Sequence, residues 1–184
     1  MGRIIEILEA NPVIAAIGDD KWEAALQSPA RVIFYMSANL LTLQEKVQQV
    51  HAAGKYVMVH LDLAEGIGRD KVGIRYIAQC GADGIISTKG QLIRWGKEMG
   101  LFTIQRFFAI DSGGTESIAD MLRGTGPDLM EIMPGIAAKV IRKYATTEIP
   151  VIAGGLLETK AEVLEALNCG ATAVSTGKAD LWYI

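Results

Sequence analysis

Apolar residues in this chain fall in short runs, separated by stretches in which they recur every three or four positions. The runs span residues 13–17, 32–36, 56–62, 84–87, 101–107, 129–133, 150–153 and 173–176. They are rich in Val, Ile and Phe, and Gly, Pro or Asp bounds most of them, which predicts strands. The stretches between predict helices over 22–27, 43–53, 71–80, 91–99, 117–123, 136–144 and 160–169. Asp19 and Asp20 stand where a side chain caps the first of these helices, and Asp70 where one caps the third. Gly54, Gly81, Gly100, Gly124 and Gly170 each follow the last periodic residue of a helix, the expected stop.

Strands that alternate with helices are joined by crossovers, so the sheet is expected to be parallel. It can close into a (β/α)8 TIM-like barrel or stay open and doubly wound. The open form that binds dinucleotides carries G-x-G-x-x-G after its first strand, and this chain has no such motif there. A barrel is therefore expected, as one domain over residues 1–184. At 184 residues the chain is short for a fold that typically takes about 250, so loops must be minimal and some helices reduced.

Half of the residues are hydrophobic, enough for one continuous core, and the formal net charge is −3. So mild an acidity gives no global attraction to nucleic acid, and RNA contact would need a local basic patch. Two segments qualify: Lys139, Arg142 and Lys143 beside Tyr144, and Arg94 and Lys97 flanking Trp95. Cations attract backbone phosphates and rings stack bases. The plainer reading of either segment is a solvated helix face. No run approaches the about 18 apolar residues of a membrane span. The segment MGRIIEILEANP sets Glu6 and Glu9 inside its apolar run, unlike a secretory signal, so the expected compartment is the cytoplasm. Cys80 and Cys169 have no CxxC partner and are expected to be buried free thiols, with no metal or other cofactor.

In a barrel the functional face lies at the C-terminal ends of the strands, and phosphate often sits between the loops after strands seven and eight. The seventh unit reads IPVIAGGL, where Gly154 and Gly155 let a ligand approach backbone N–H groups. The eighth reads AVSTGK, where Ser175, Thr176, Gly177 and Lys178 add hydroxyls, N–H groups and an ammonium. Such glycines can also serve tight turns alone; the pairing of two loops, with Lys178, favours a phosphate site. The third strand, YVMVHLDL, sets Met58, His60 and Asp62 on one face. Asp62 either accepts bonds from ligand hydroxyls or caps the next segment. His60, a layer deeper, reads as a hydrogen-bonded core histidine. The loop LAEGIGRDK, with Glu65 and Arg69, is a lid or a plain connection. Lys89 either neutralises an anion or is an exposed lysine at a helix start. Arg106 in TIQRFF and Glu131 in DLMEIMPG stand inside apolar strands, where each needs a partner. They can pair with each other or meet a ligand. Motifs of the H-E-x-x-H, G-x-S-x-G and Walker A types are absent and no nucleophile is defined, so no catalytic residue is assigned.

In their order, the segments VHLDLAEGIGRDKVGIRYIA, DGIISTKGQLI, TIQRFF, EIMPGI, IPVIAGGL and AVSTGKADLW resemble those of the glycerol-3-phosphate-responsive antiterminators. These are bacterial regulators of glycerol-uptake and glycerol-3-phosphate dehydrogenase operons. The likeness runs from about Asn11 to Trp182. It implies a barrel that serves as a regulator and not as an enzyme. Such a protein responds to glycerol 3-phosphate, acts on leader mRNA so that transcription passes a terminator, and is linked to transcript stabilisation. The resemblance implies that Gly154, Gly155, Ser175, Thr176 and Gly177 hold the phosphate, with Lys178 the weakest assignment. It implies that Asp62 and Glu131 face the glycerol hydroxyls, supported by Lys89 and Arg106. It carries over no motif for the RNA surface. Ligand binding would shift the protein toward an RNA-competent state or homo-oligomer. The alternative is an isomerase, aldolase or lyase acting on a small phosphorylated polyol or sugar, with Asp62, Lys89 and Glu131 as acid–base groups.

Overall fold

The structure is a computed structural model that describes residues 2–109 and 112–184, with residues 112–117 described by their backbone alone. Eight parallel strands form a closed barrel in chain order: β1 (Val13–Ile17), β2 (Val32–Tyr35), β3 (Tyr56–His60), β4 (Gly84–Ser87), β5 (Phe102–Phe108), β6 (Leu129–Met133), β7 (Val151–Gly154) and β8 (Ala173–Thr176). The barrel closes through β8 pairing with β1, with Ile14 opposite Ser175. Closure leaves no sheet edge with unpaired N–H and C=O groups.

Helix α1 (Gly2–Ala10) precedes the barrel. Helices α2 (Trp22–Gln27), α3 (Leu43–Ala52), α4 (Lys71–Gln79), α5 (Gly90–Glu98), α6 (Ser112–Thr125), α7 (Ala138–Tyr144) and α8 (Lys160–Asn168) each follow one of the first seven strands. Only a 3₁₀ turn, Ala179–Tyr183, follows β8. The economy expected of a short barrel is thus made at α2 and α7, of six and seven residues, and after β8.

Four strands, β1, β4, β6 and β8, span the predicted residues. β3 stops at His60, short of Asp62, because residues 61–63 turn into a 3₁₀ turn that brings Asp62 to the end of β4. Helix α6 passes through Gly124 and ends at Thr125. Asp70 caps α4 as expected, accepting from the N–H groups of Val72 and Gly73. Asp19 and Asp20 do not cap α2; they form a 3₁₀ turn with Lys21, and neither end of that turn has a side-chain cap. The Asp19 carboxylate instead accepts from the Tyr35 hydroxyl at 2.9 Å and pairs with Lys46 at 3.2 Å. Both cysteines are buried and free.

Two apolar layers follow from strand alternation. Outward-facing residues such as Ala15, Ile33, Val57, Ile85, Met130 and Val174 pack against the helices. Inward-facing residues, among them Ile14, Phe34, Met58, Ile86, Ile104, Leu129, Ile152 and Ala173, fill the barrel. Helix α1 belongs to this inner layer: Leu8, 1 % exposed, packs with the barrel lining, and Ile4, Ile5 and Ile7 support it. Among the described residues no helix is long and apolar enough to cross a membrane.

Candidate functional site

Toward the C-terminal end the barrel interior changes from apolar to polar. His60, Arg106, Glu131 and Ser175 each lie two residues beyond an inward apolar residue: Met58, Ile104, Leu129 and Ala173. The period of two therefore turns all four inward at the level where the interior opens. Register brings them together, since Arg106 lies opposite Glu131 and Gly154 opposite Ser175.

Glu131 is wholly buried and has two donors. Arg106 Nε donates to its Oε2 at 2.6 Å, and Ser175 Oγ to its Oε1 at 2.6 Å. Arg106 is itself 7 % exposed. A buried ion pair persists only when geometry and added hydrogen bonds compensate its desolvation. Here the second carboxylate oxygen takes a hydroxyl, and Arg106 lines the cavity above. A Cβ on Gly154 would stand 2.3 Å from Glu131 Oε1 and 2.6 Å from Ser175 Oγ. Glycine at 154 thus serves the Ser175–Glu131 bond as much as any ligand.

Above this network lies a cavity of about 380 Å³. Arg106, Glu131 and Ser175 form part of its wall, with Ala16, Met36 and Met133. Residues 155–158 and 175–178 line it from two sides, and Lys21 reaches it from the turn after β1. The two loops are thus adjacent, and Thr176 Oγ1 donates to the carbonyl of Leu157 at 3.2 Å. Gly155 has φ +75° and Leu156 φ +58°. Left-handed backbone at a non-glycine residue is strained and occurs most at ligand-binding sites. Lys21 Nζ donates to the Gly177 carbonyl at 2.7 Å, and Lys178 Nζ lies 3.7 Å from Glu158 Oε2.

The hydroxyls of Ser175 and Thr176 are committed, to Glu131 and Leu157. What these residues offer a ligand is backbone. Lys21 belongs to no motif in the sequence and is not singled out there; its position just beyond β1 is the available signal.

Asp62 and Lys89 stand apart from the cavity lining. Asp62 accepts from Ser87 Oγ at 2.7 Å, from Thr88 N at 2.7 Å and from Thr88 Oγ1 at 2.8 Å. It ties the turn after β3 to the end of β4, which is neither of the two roles expected of it. Burial pushes its carboxyl up, but the Thr88 and Ser87 donors outweigh burial and hold it below the usual range. Lys89 is exposed at the N-terminus of α5. In the following loop Arg69 donates to the Asp62 carbonyl at 2.6 Å and Glu65 accepts from Asn39, so both serve local connection.

His60 departs from expectation. It is 3 % exposed, yet among the described residues neither ring nitrogen has a hydrogen-bond partner beyond its own backbone. Burial, then the Arg106 charge, holds its pKa below the ordinary histidine value against the opposing pull of Asp62 and Glu131. The ring is neutral near pH 7.

The basic segments lie on the outer helices. Lys139, Arg142 and Lys143 are exposed on α7, whereas Tyr144 is buried and unavailable for base stacking. On α5, Arg94 bonds Gln91 Oε1 at 2.7 Å and Lys97 donates to the Gly126 carbonyl. Trp95 packs against the core.

Residues 13–182 match the family of glycerol-3-phosphate responsive antiterminators. The uncharacterised protein YgcP of Escherichia coli K12 is 35 % identical over 183 residues, covering 97 % of this chain and 95 % of that protein. The crystal structure of the glycerol uptake operon antiterminator regulatory protein of Listeria monocytogenes superposes with a TM-score of 0.87 at 33 % identity, over 93 % of this chain and 94 % of the other. A glycerol uptake operon antiterminator-related protein of Thermotoga maritima gives 0.84 at 33 % identity, over 94 % and 98 %. The chain belongs to the glycerol-3-phosphate responsive antiterminator family, a family of regulators on an enzyme-like barrel.

Proposed function

We propose that this barrel senses glycerol 3-phosphate and, in response, binds the leader mRNA of glycerol-metabolism operons so that transcription passes a terminator. The carrying observation is one open cavity lined by both phosphate-type loops and three cationic side chains, Lys21, Arg106 and Lys178. About 380 Å³ suits a small ligand. The phosphate sits against the backbone at Gly154, Gly155, Ser175, Thr176 and Gly177, with the Lys178 and Lys21 ammonium groups neutralising it. The glycerol end faces Arg106 and Glu131, and Asp62 and Lys89, outside the cavity lining, take no direct part. RNA phosphates meet exposed cations on the outer helices, for which Lys139, Arg142 and Lys143, and then Arg94 and Lys97, are the candidates. No catalytic step is required of any residue.

The test is a leader-RNA shift assay with and without glycerol 3-phosphate, beside calorimetry of the ligand alone. Ligand-dependent RNA affinity supports the regulator, and equal affinity in both conditions removes it. Turnover of the ligand would favour the phosphosugar or phosphopolyol enzyme instead. Gly155→Val serves as the local probe: an added Cβ meets only Met133, at 2.6 Å, but φ +75° strains a β-branched residue, so the variant should lose some stability as well as phosphate binding, and its affinity is read below its own unfolding transition. Unchanged ligand affinity in that variant would refute the phosphate placement.

A further inference from the structure

The His60 imidazole raises a question that the cavity answers. A buried polar group without a partner costs about 1–3 kcal/mol, and native proteins keep few of them. Among the described residues, His60 has two such nitrogens in one ring, with no partner in another residue.

The ring's place in the barrel is defined by register. Met36 and His60 each follow the paired residues Tyr35 and Val59, so they stand at one level, Met36 just past β2 and His60 at the end of β3. Met36 packs on the inner apolar layer and lines the cavity. Alternation after Tyr56 and Met58, both inner-layer residues, turns His60 inward as well. Arg106 and Glu131 are close enough for their charges to act on the ring. Both line the cavity. Met36 is unbranched and adaptable, and Arg106 Nη2 meets its Sδ at only 4.0 Å. His60 itself lies outside the cavity lining, beside Met36, whose side chain must turn aside for a ligand to reach the ring.

We propose that His60 is the hydroxyl-reading residue of the cavity, its imidazole hydrogen-bonding a hydroxyl of a phosphorylated polyol whose phosphate lies between the two terminal loops. This rests on the reading of the cavity as a phosphate site. The chemistry is complementary. A neutral imidazole offers one donor and one acceptor, and an alcohol hydroxyl both donates and accepts. The phosphate loops alone hold any phosphate monoester; His60 adds selection for one that carries hydroxyls. A site built to hydrogen-bond a hydroxyl rejects an analogue that lacks it, because its polar group is then left unpaired.

The experiment compares glycerol 3-phosphate, propyl phosphate and inorganic phosphate by calorimetry on the intact chain and on His60→Phe. The unsubstituted protein should prefer glycerol 3-phosphate over propyl phosphate by about tenfold or more, and His60→Phe should bring the two within about threefold. His60→Gln, which keeps a donor and an acceptor, should restore part of the preference. Ring ¹⁵N shifts give a reading that needs no variant. The chain has 2 histidines, and the other, His51, is exposed and bound to Asp83 at 3.0 Å. Glycerol 3-phosphate should move the His60 ring nitrogens, and propyl phosphate should not. A preference that survives in His60→Phe, or His60 nitrogens unmoved by glycerol 3-phosphate, overturns the assignment and leaves the phosphate site standing. Failure of the unsubstituted chain to bind glycerol 3-phosphate overturns both.

Discussion

A buried carboxylate in this barrel is held by donors from two other strands. Glu131 on β6 takes Arg106 from β5 and Ser175 from β8. Ser175→Ala leaves Glu131 Oε1 without its hydroxyl in a fully buried position, and should cost about 1–3 kcal/mol, read from urea unfolding at neutral pH. Asp62 makes a separate prediction. Its folded pKa is depressed, so its contribution to stability is complete above the ordinary Asp range. That contribution is lost as pH falls from about 4 through the depressed value. Asp62→Asn should therefore destabilise the protein at pH 7, and the gap from the unsubstituted chain should close as pH drops below 4. A gap independent of pH would show that the carboxylate charge is not what binds Ser87 and Thr88.

At the scale of elements, the passage from β7 into α8 governs the site. β7 ends at Gly154, the chain turns through two left-handed residues, and α8 starts at a capping box between Thr159 and Glu162. The box fixes the helix start, so the strained turn between is held from both ends. Gly154→Ala should separate Ser175 from Glu131, lowering stability by about 1–3 kcal/mol in denaturant titration and weakening glycerol 3-phosphate binding in calorimetry. The added methyl meets a packed carboxylate and a strand hydroxyl, neither at the end of a mobile chain. An alanine variant of unchanged stability would show that the network relaxes freely.

Over the whole molecule, stability and ligand chemistry occupy opposite ends of the barrel. Leu8 of α1 packs with Val32, Phe102 and Leu129, residues at or near the strand starts. The polar layer and the cavity lie at the strand ends. Leu8→Ala should lower stability by about 2–5 kcal/mol, the range for a buried leucine truncated to a cavity, measured by denaturant unfolding. Affinity for glycerol 3-phosphate should stay the same, because the strand ends that line the cavity do not pack on α1. Loss of affinity in step with stability would show that the two ends are coupled.

Local pattern in the chain was enough to place the elements and to single out two loops that line one cavity. Strand periodicity located all eight strands, and the two glycine-containing loops came together at the strand ends. Local pattern suffices there because alternation and turn chemistry act over a few residues. Helix α1 was not legible as a helix, since only packing on the barrel interior gives its apolar face a partner. Pairing between Arg106 and Glu131 was one of two readings, and only register between β5 and β6 decided it. Register likewise spent Asp62 on β4 and committed the Ser175 hydroxyl to Glu131. Among the described residues, the tertiary structure alone left the His60 ring buried without a partner in another residue, because which polar groups meet across a barrel depends on closure, and closure joins residues far apart in the chain.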